Sequence, residues 1–278
     1  MRTLTLAFSP CPNDTFAFHA LVHGLVDAPF AVEPVLLDIE ELNRHGRLGT
    51  YDVSKLSFGV LPAIGGGYRM LRSGAALGRG VGPLVVAREP RTLARAAASS
   101  LAIPGRDTTA FLLLRLAAPE LAAVEVLRYD RILDAVATGA VDAGLIIHES
   151  RFTYADHGLT RVADLGEWWE ETTGLPIPLA AICARHDLDA DLAHEVERAI
   201  RASVEYAFAH PEASREWMRE HSQELSDDVC DQHVALYVNE FSIDLGDEGL
   251  EAIDRLLQRA PASVPGREFV DSSREKQV

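Results

Sequence analysis

Residues 4–22 read LTLAFSPCPNDTFAFHALV. Leu4 to Phe8 is a short alternating run, which predicts a strand. Ser9-Pro10-Cys11-Pro12 breaks it, and Asn13 or Asp14 can cap a helix from Thr15 to about Val22, ended by Gly24. The same order of strand, polar break and helix recurs through the first two-thirds of the chain. Strands are expected over 32–39, 53–58, 68–76, 82–87, 100–103, 122–128, 143–147 and 159–164, and again over 179–184. Helices are expected over 40–48, 92–98, 109–116 and 130–138, and most of 192–258 is helical by period. The tail beyond about Pro265 is expected to fray.

Strands alternating with helices predict an α/β fold built on parallel sheets. The strands are too many for one small sheet and show no repeat period. The stretches 78–87 and 174–184 read as crossings between lobes. Lobe one is then 1–85 plus 185–278, and lobe two is 86–184. Ligands in such folds sit beyond the carboxyl ends of strands, in the crevice between lobes.

Composition narrows the partners. The 278 residues suffice for one large domain or two modest ones, and 47% hydrophobic against 24% charged residues argues against disorder away from the ends. A net charge of −16 repels nucleic acid and anionic membrane surfaces, so neither is an expected partner. An anionic ligand would need a locally electropositive site. The two lysines are Lys55 and Lys276; the other positive charges are arginine. Cys11, Cys183 and Cys230 are widely spaced and odd in number, which suits a reducing compartment. The apolar stretch near Met1 is too short for a signal peptide, and no window approaches the roughly 18 apolar residues of a membrane span. A cytoplasmic location is expected.

Four segments follow strands at the end where sites form. In the first, Ser9 to Phe16, free N–H groups at a helix start attract anions, although a plain capped turn reads equally well. In the second, Asp52 to Gly59, alternation puts Lys55 and Ser57 on one side and Leu56 and Phe58 on the other. Lys55 either holds a carboxylate or pairs with a nearby acid. In the third, Pro104-Gly105-Arg106-Asp107-Thr108-Thr109, glycine allows close backbone approach and two threonines open a helix. This is the best carboxylate cradle in the chain, and it lacks the spacing of a phosphate loop. The alternative is a threonine-capped helix, and Asp107 would weaken the cradle if it faced the ligand. The fourth is an apolar strand, Gly144 to Ile147, that delivers His148, a natural base at neutral pH or a structural histidine. By alternation Glu149 points away from it.

Other arrangements carry less. His19 and His23 are four apart, but Ala20 stands where the zinc-protease pattern needs glutamate, so no metal site is expected. Gly78-Arg79-Gly80-Val81-Gly82 lacks dinucleotide spacing and reads as a hinge. Trp168 and Trp169 serve either ligand stacking or packing.

In this order, SPCPNDTF, DVSKLSFGVLP, IPGRDTTAFLLL, GLIIHE and TGLPIPLA resemble the 1,4-dihydroxy-6-naphthoate synthases of the futalosine route to menaquinone, from about residue 4 to about 260. The resemblance implies a two-lobed, type II periplasmic-binding-protein-like fold used as a cytoplasmic enzyme. It implies a small carboxylated substrate, cyclic dehypoxanthine futalosine, cleaved to 1,4-dihydroxy-6-naphthoate and dihydroxyacetone, with no cofactor. The catalytic histidine falls on His148. Substrate-binding positions fall on Ser57, Thr108 and Thr109, and Asp14, Lys55 and Arg106 lie in the matching motifs. Two rivals share the fold: a solute-binding protein without turnover, and the chorismate dehydratase of the same pathway.

Overall fold

Pro12 sets where the first helix begins. Proline suits the first helical position because its missing N–H is unpaired there anyway. The helix therefore runs Pro12–Val22 with extended Cys11 as its N-cap and no side-chain cap. Asn13 and Asp14 lie inside the first turn, so neither caps the helix as expected. In the computed structural model, residues 1–222 and 226–260 are described. The tail expected to fray lies outside them.

The strands are β1 (Arg2–Phe8), β2 (Phe30–Leu36), β3 (Val53–Ser57), β4 (Tyr68–Met70), β5 (Ala76–Gly78), β6 (Leu84–Ala87), β7 (Leu101–Ile103), β8 (Val124–Val126), β9 (Ala143–Ile146), β10 (Thr160–Asp164) and β11 (Ile177–Arg185). They form two sheets. The first has the order β2-β1-β3-β11-β4, with β5 also paired to β11; the second has the order β10-β6-β9-β7-β8. Both sheets are mixed. β1 runs parallel to β2 and β3, while β11 is antiparallel to β3, β4 and β5. β7 runs parallel to β8 and β9, while β6 is antiparallel to β9 and β10. The expectation of parallel sheets holds only for the βα units; a strand that returns from the other sheet enters in the opposite sense.

Sheet membership also differs from the expected lobe boundaries. β6 belongs wholly to the second sheet and β11 wholly to the first. The chain passes between sheets in 79–83 and returns through 165–176. That return contains a helix, Leu165–Thr173, which the sequence reading left out. Asp164 caps it, accepting from the N–H of Gly166 at 2.8 Å and of Glu167 at 3.2 Å. The helix carries both tryptophans. Trp169 is fully buried and donates its indole N–H to the Pro176 carbonyl at 3.0 Å, which makes it a packing residue.

The carboxyl-terminal helices Ala190–Ala209, Arg215–His221, Asp227–Tyr237 and Gly246–Arg259 cover the first sheet and the junction. Helix Pro12–Val22 packs on Ala190–Ala209. Ser203 joins them, donating to the Ala17 carbonyl at 2.7 Å and accepting from the Leu21 N–H at 3.1 Å. Phe8 anchors this core with edge-on contacts to Phe18 and Trp217. His19 and His23 pack against each other at a tilt and against Trp217, and belong to that packing.

Candidate active site

The carboxyl ends of β1, β3, β7 and β9 converge on a cleft of about 560 Å³ between the two sheets. Strand β3 supplies one wall by its alternation. Lys55 and Ser57 face the cleft, while Leu56 and Phe58 are fully buried in the core. The Lys55 ammonium pairs with the Asp14 carboxylate, and both side chains are buried. Asp14 also accepts from the Ser9 N–H at 3.1 Å, the Ser9 hydroxyl at 2.7 Å and the Asn13 amide at 2.8 Å. A buried carboxylate with four donors has the pairing that removal from water demands. Asp14 thus stands behind Lys55 and does not line the cleft. Asn43 holds Ser57, donating to its hydroxyl at 3.0 Å and accepting from its N–H at 2.9 Å. The Ser57 proton is left for a ligand.

The opposite wall is the start of helix Thr109–Ala117. Thr108 caps it: its hydroxyl accepts from the Phe111 N–H at 3.1 Å and donates to the Gly105 carbonyl at 2.9 Å. The Thr109 hydroxyl donates to the Leu179 carbonyl at 2.5 Å and accepts from the Gly59 N–H at 3.2 Å. Both hydroxyls are therefore engaged within the protein. What this wall offers a ligand is the first-turn N–H groups of Thr109 and Ala110, which have no acceptor inside the helix. Gly59 lets the two sheets meet here, since a Cβ on it would lie 2.6 Å from the Thr108 carbonyl oxygen.

Arg106 and Asp107 turn away from the cleft. Arg106 is exposed and reaches toward the Val124 carbonyl at 3.5 Å. Asp107 meets Arg47 in a two-pronged ion pair at 2.6 and 2.5 Å, so its charge does not oppose the cradle. Glu40 accepts from the N–H of Arg106 at 2.8 Å and of Asp107 at 3.2 Å. Glu40 and Arg47 lie on helix Ile39–Arg47 of the first sheet's side, so this cluster clasps the two halves together.

His148 lies two residues beyond β9 with φ of 57°, a left-handed conformation that costs a non-glycine residue about 1–3 kcal/mol. It is the only such non-glycine residue among the described residues. The turn ends the strand's alternation, which corrects the expected placing of Glu149: Cys11, His148 and Glu149 bring their polar atoms within 4.8 Å of one another. The half-buried His148 ring lines the cleft, and its Nε2 is buried without a hydrogen-bond partner. Burial, and then the nearby Lys55 charge, push its pKa down to about 3. The ring is neutral at physiological pH and able to accept a proton. Tyr129 packs edge-on against it, with centroids 5.0 Å apart. Burial pushes the Cys11 thiol well above its ordinary range, consistent with a small packing residue.

Lys55, Ser57, Thr108, Thr109 and His148 are brought together; Arg106 is not, and Asp14 acts one layer behind. The sequence reading missed Asn13, Ile39, Leu179 and Tyr237 as cleft-lining residues. Asn13 was in view as part of SPCPNDTF, but only as a cap.

Two α/β halves frame a cleft in which a neutral histidine faces the start of a helix, and the architecture is that of a binding-protein-like scaffold. Solved structures agree on the fold. A protein of Archaeoglobus fulgidus superimposes with a TM-score of 0.88 at 37% identity, covering 93% of this chain and 96% of that one. The alkanesulfonate-binding protein of Xanthomonas axonopodis pv. citri, bound to MOPS, superimposes with a TM-score of 0.70 at 16% identity, covering 97% and 96%. The family model for menaquinone biosynthesis matches residues 4–262, and the chain belongs to that family. A 1,4-dihydroxy-6-naphthoate synthase of Thermus thermophilus is 56% identical over 262 residues, 94% of this chain and 95% of the relative. One of Streptomyces coelicolor is 48% identical over 265 residues, 94% of this chain and 93% of the relative.

Proposed function

We propose that the protein is a carbon–carbon lyase of menaquinone biosynthesis that converts cyclic dehypoxanthine futalosine to 1,4-dihydroxy-6-naphthoate and dihydroxyacetone. Near full-length likeness to relatives bearing that synthase name carries the reading. The ring carboxylate sits on the Ser57 hydroxyl and the N–H groups of Thr109 and Ala110. This refines the carboxylate role first given to the two threonines: Thr108 shapes the cradle as its cap, and Thr109 ties the two walls together. Ile39, Val81, Ile147 and Leu179 supply apolar cleft walls suited to a fused ring system. Lys55 stands at the same wall as Ser57 and adds a positive charge that Asp14 largely offsets.

His148 removes a proton from the held substrate as a neutral base. Carbon–carbon cleavage follows as an elimination or retro-aldol step, and aromatisation supplies the driving force. Closure of the halves through the Glu40 and Arg47 clasp keeps water from the intermediate. Membership of a biosynthetic family supports the cytoplasmic location expected from the sequence; among the described residues no helix is long and apolar enough to cross a membrane.

The test is turnover. Chelator-treated protein is mixed with the proposed substrate, and the naphthoate is followed by chromatography and mass. His148→Asn is expected to slow turnover by about 10²–10⁴-fold, the range for a lost general base. Near-normal turnover by that variant would remove His148 from the chemistry. Substrate bound but unchanged by the wild type would point to a binding protein, with chorismate the next compound to try.

A further inference from the structure

One buried chain of polar groups in the cleft wall includes two residues, Asn13 and His233, that the base mechanism leaves unused. It runs from Lys55 through Asp14 and Asn13 to His233, 220 residues further along the chain. Asp14, held by the Lys55 ammonium, is ionised and accepts only. The Asn13 atom that meets it at 2.8 Å is therefore the amide nitrogen, Nδ2. The Asn13 oxygen must then face His233, whose Nε2 lies 2.9 Å away and must carry the proton. The His233 Nδ1 is left as a bare lone pair. It is indeed buried without a partner, in a fully buried ring packed against His148, Phe152 and Tyr237. A buried nitrogen left unmatched loses its bond to water and gains nothing in return. Its presence marks the tautomer as imposed by Asn13 rather than chosen by the ring.

This order leaves one Asn13 N–H unused. Asn13 lines the cleft beside Lys55 and His148 and is only 6% exposed. A donor so oriented and so dry acts most strongly where charge develops. We propose that the Lys55–Asp14–Asn13–His233 chain is a tautomer lock that makes Asn13 a fixed hydrogen-bond donor to the substrate oxygen that gains negative charge as His148 takes its proton. Asn13 is then a catalytic residue and His233 a positioning residue. The inference rests on the proposed function for its substrate, but the lock itself is a property of the free protein.

Two measurements test it. In turnover, Asn13→Ala is expected to lower kcat by about 10²–10³-fold, the effect of one lost oxyanion donor. Its KM should stay within about threefold of wild type, since the interaction belongs to the transition state. His233→Phe should also lower kcat, and His233→Gln, which keeps an N–H donor toward Asn13, should restore part of the loss. In 15N NMR of histidine-labelled wild type, His233 should show the Nε2–H tautomer alone at neutral pH, and Asn13→Ala should mix the tautomers. Wild-type kcat in Asn13→Ala, or a rise in KM alone, overturns the catalytic role. Mixed tautomers for His233 in the wild type overturn the lock, even if every variant misfolds. A wild type that binds substrate without turnover sinks the functional reading instead, and the NMR result then decides the lock by itself.

Discussion

Replacing His148 by Asn should make the protein more tolerant of acid while it destroys the activity. The unfolded histidine takes a proton at its ordinary pKa of 6.5, whereas the folded ring resists down to about 3 because it is buried and close to Lys55. Below 6.5 the unfolded state therefore binds a proton that the native state refuses, and stability falls with pH until the folded pKa is reached. At about 1.4 kcal/mol per pH unit, the loss by roughly pH 5 is about 2 kcal/mol. Above 6.5 the contribution is flat. The asparagine side chain of the variant does not titrate. His233, also held neutral by burial, remains in both proteins and cancels in the comparison. Urea unfolding of wild type and His148→Asn at neutral pH and near pH 5 gives the difference directly. The wild type should lose about 2 kcal/mol more than the variant on acidification. The same folded pKa requires kcat/KM to have no acid limb near 6.5. Parallel stability curves, or a limb near 6.5, would refute the account of a histidine held neutral in the cleft.

Gly59→Ala would place a Cβ 2.6 Å from the Thr108 carbonyl oxygen, so the walls cannot meet as they do, and kcat/KM should fall by about tenfold or more in a protein that still folds. Arg106→Ala should leave kcat/KM within about twofold of wild type, because its exposed guanidinium points out of the cleft. Asp107→Asn weakens a half-exposed ion pair with Arg47, so thermal unfolding should register a loss of about 1 kcal/mol or less while KM rises. Lys55→Met strands a buried carboxylate and should destabilise by about 3–5 kcal/mol in urea; Lys55→Met combined with Asp14→Asn should recover much of that.

Much of the cleft was legible because it is built from local patterns. Alternation in β3 placed Lys55 and Ser57 together, and an apolar strand ending in histidine marked His148. The Thr108–Thr109 wall was legible as a helix start, but not the use made of its hydroxyls. Thr109 bonds to Gly59 and Leu179, residues far away in sequence, and no local pattern reports such pairs. His233 was invisible for the same reason. Its meaning depends on Asn13, brought near only when helix Asp227–Tyr237 packs beside helix Pro12–Val22. Helix Leu165–Thr173 was lost between two crossings, although Asp164 at its start was a readable cap. The unexpected position of Glu149 follows from the left-handed turn at His148, which alternation cannot foresee.

The strong negative charge of the chain poses a problem for any carboxylated substrate, and the proposed site offers an answer to it. Net charge alone does not attract the ligand, since Lys55 is matched by Asp14 within the wall. In the proposed reading, recognition falls instead to dipoles: the Ser57 hydroxyl and the N–H groups at the start of helix Thr109–Ala117. Dipoles fixed by their own hydrogen bonds need little reorganisation when charge arrives, and in a site closed from water they act at low dielectric. The paired lysine can then serve a second purpose. Its charge still reaches His148 and opposes protonation of the ring, so the base stays free while the substrate's anion is held elsewhere. A lysine placed directly on the carboxylate would have coupled those two tasks; separating them lets one cleft bind an anion and keep an unprotonated base within it.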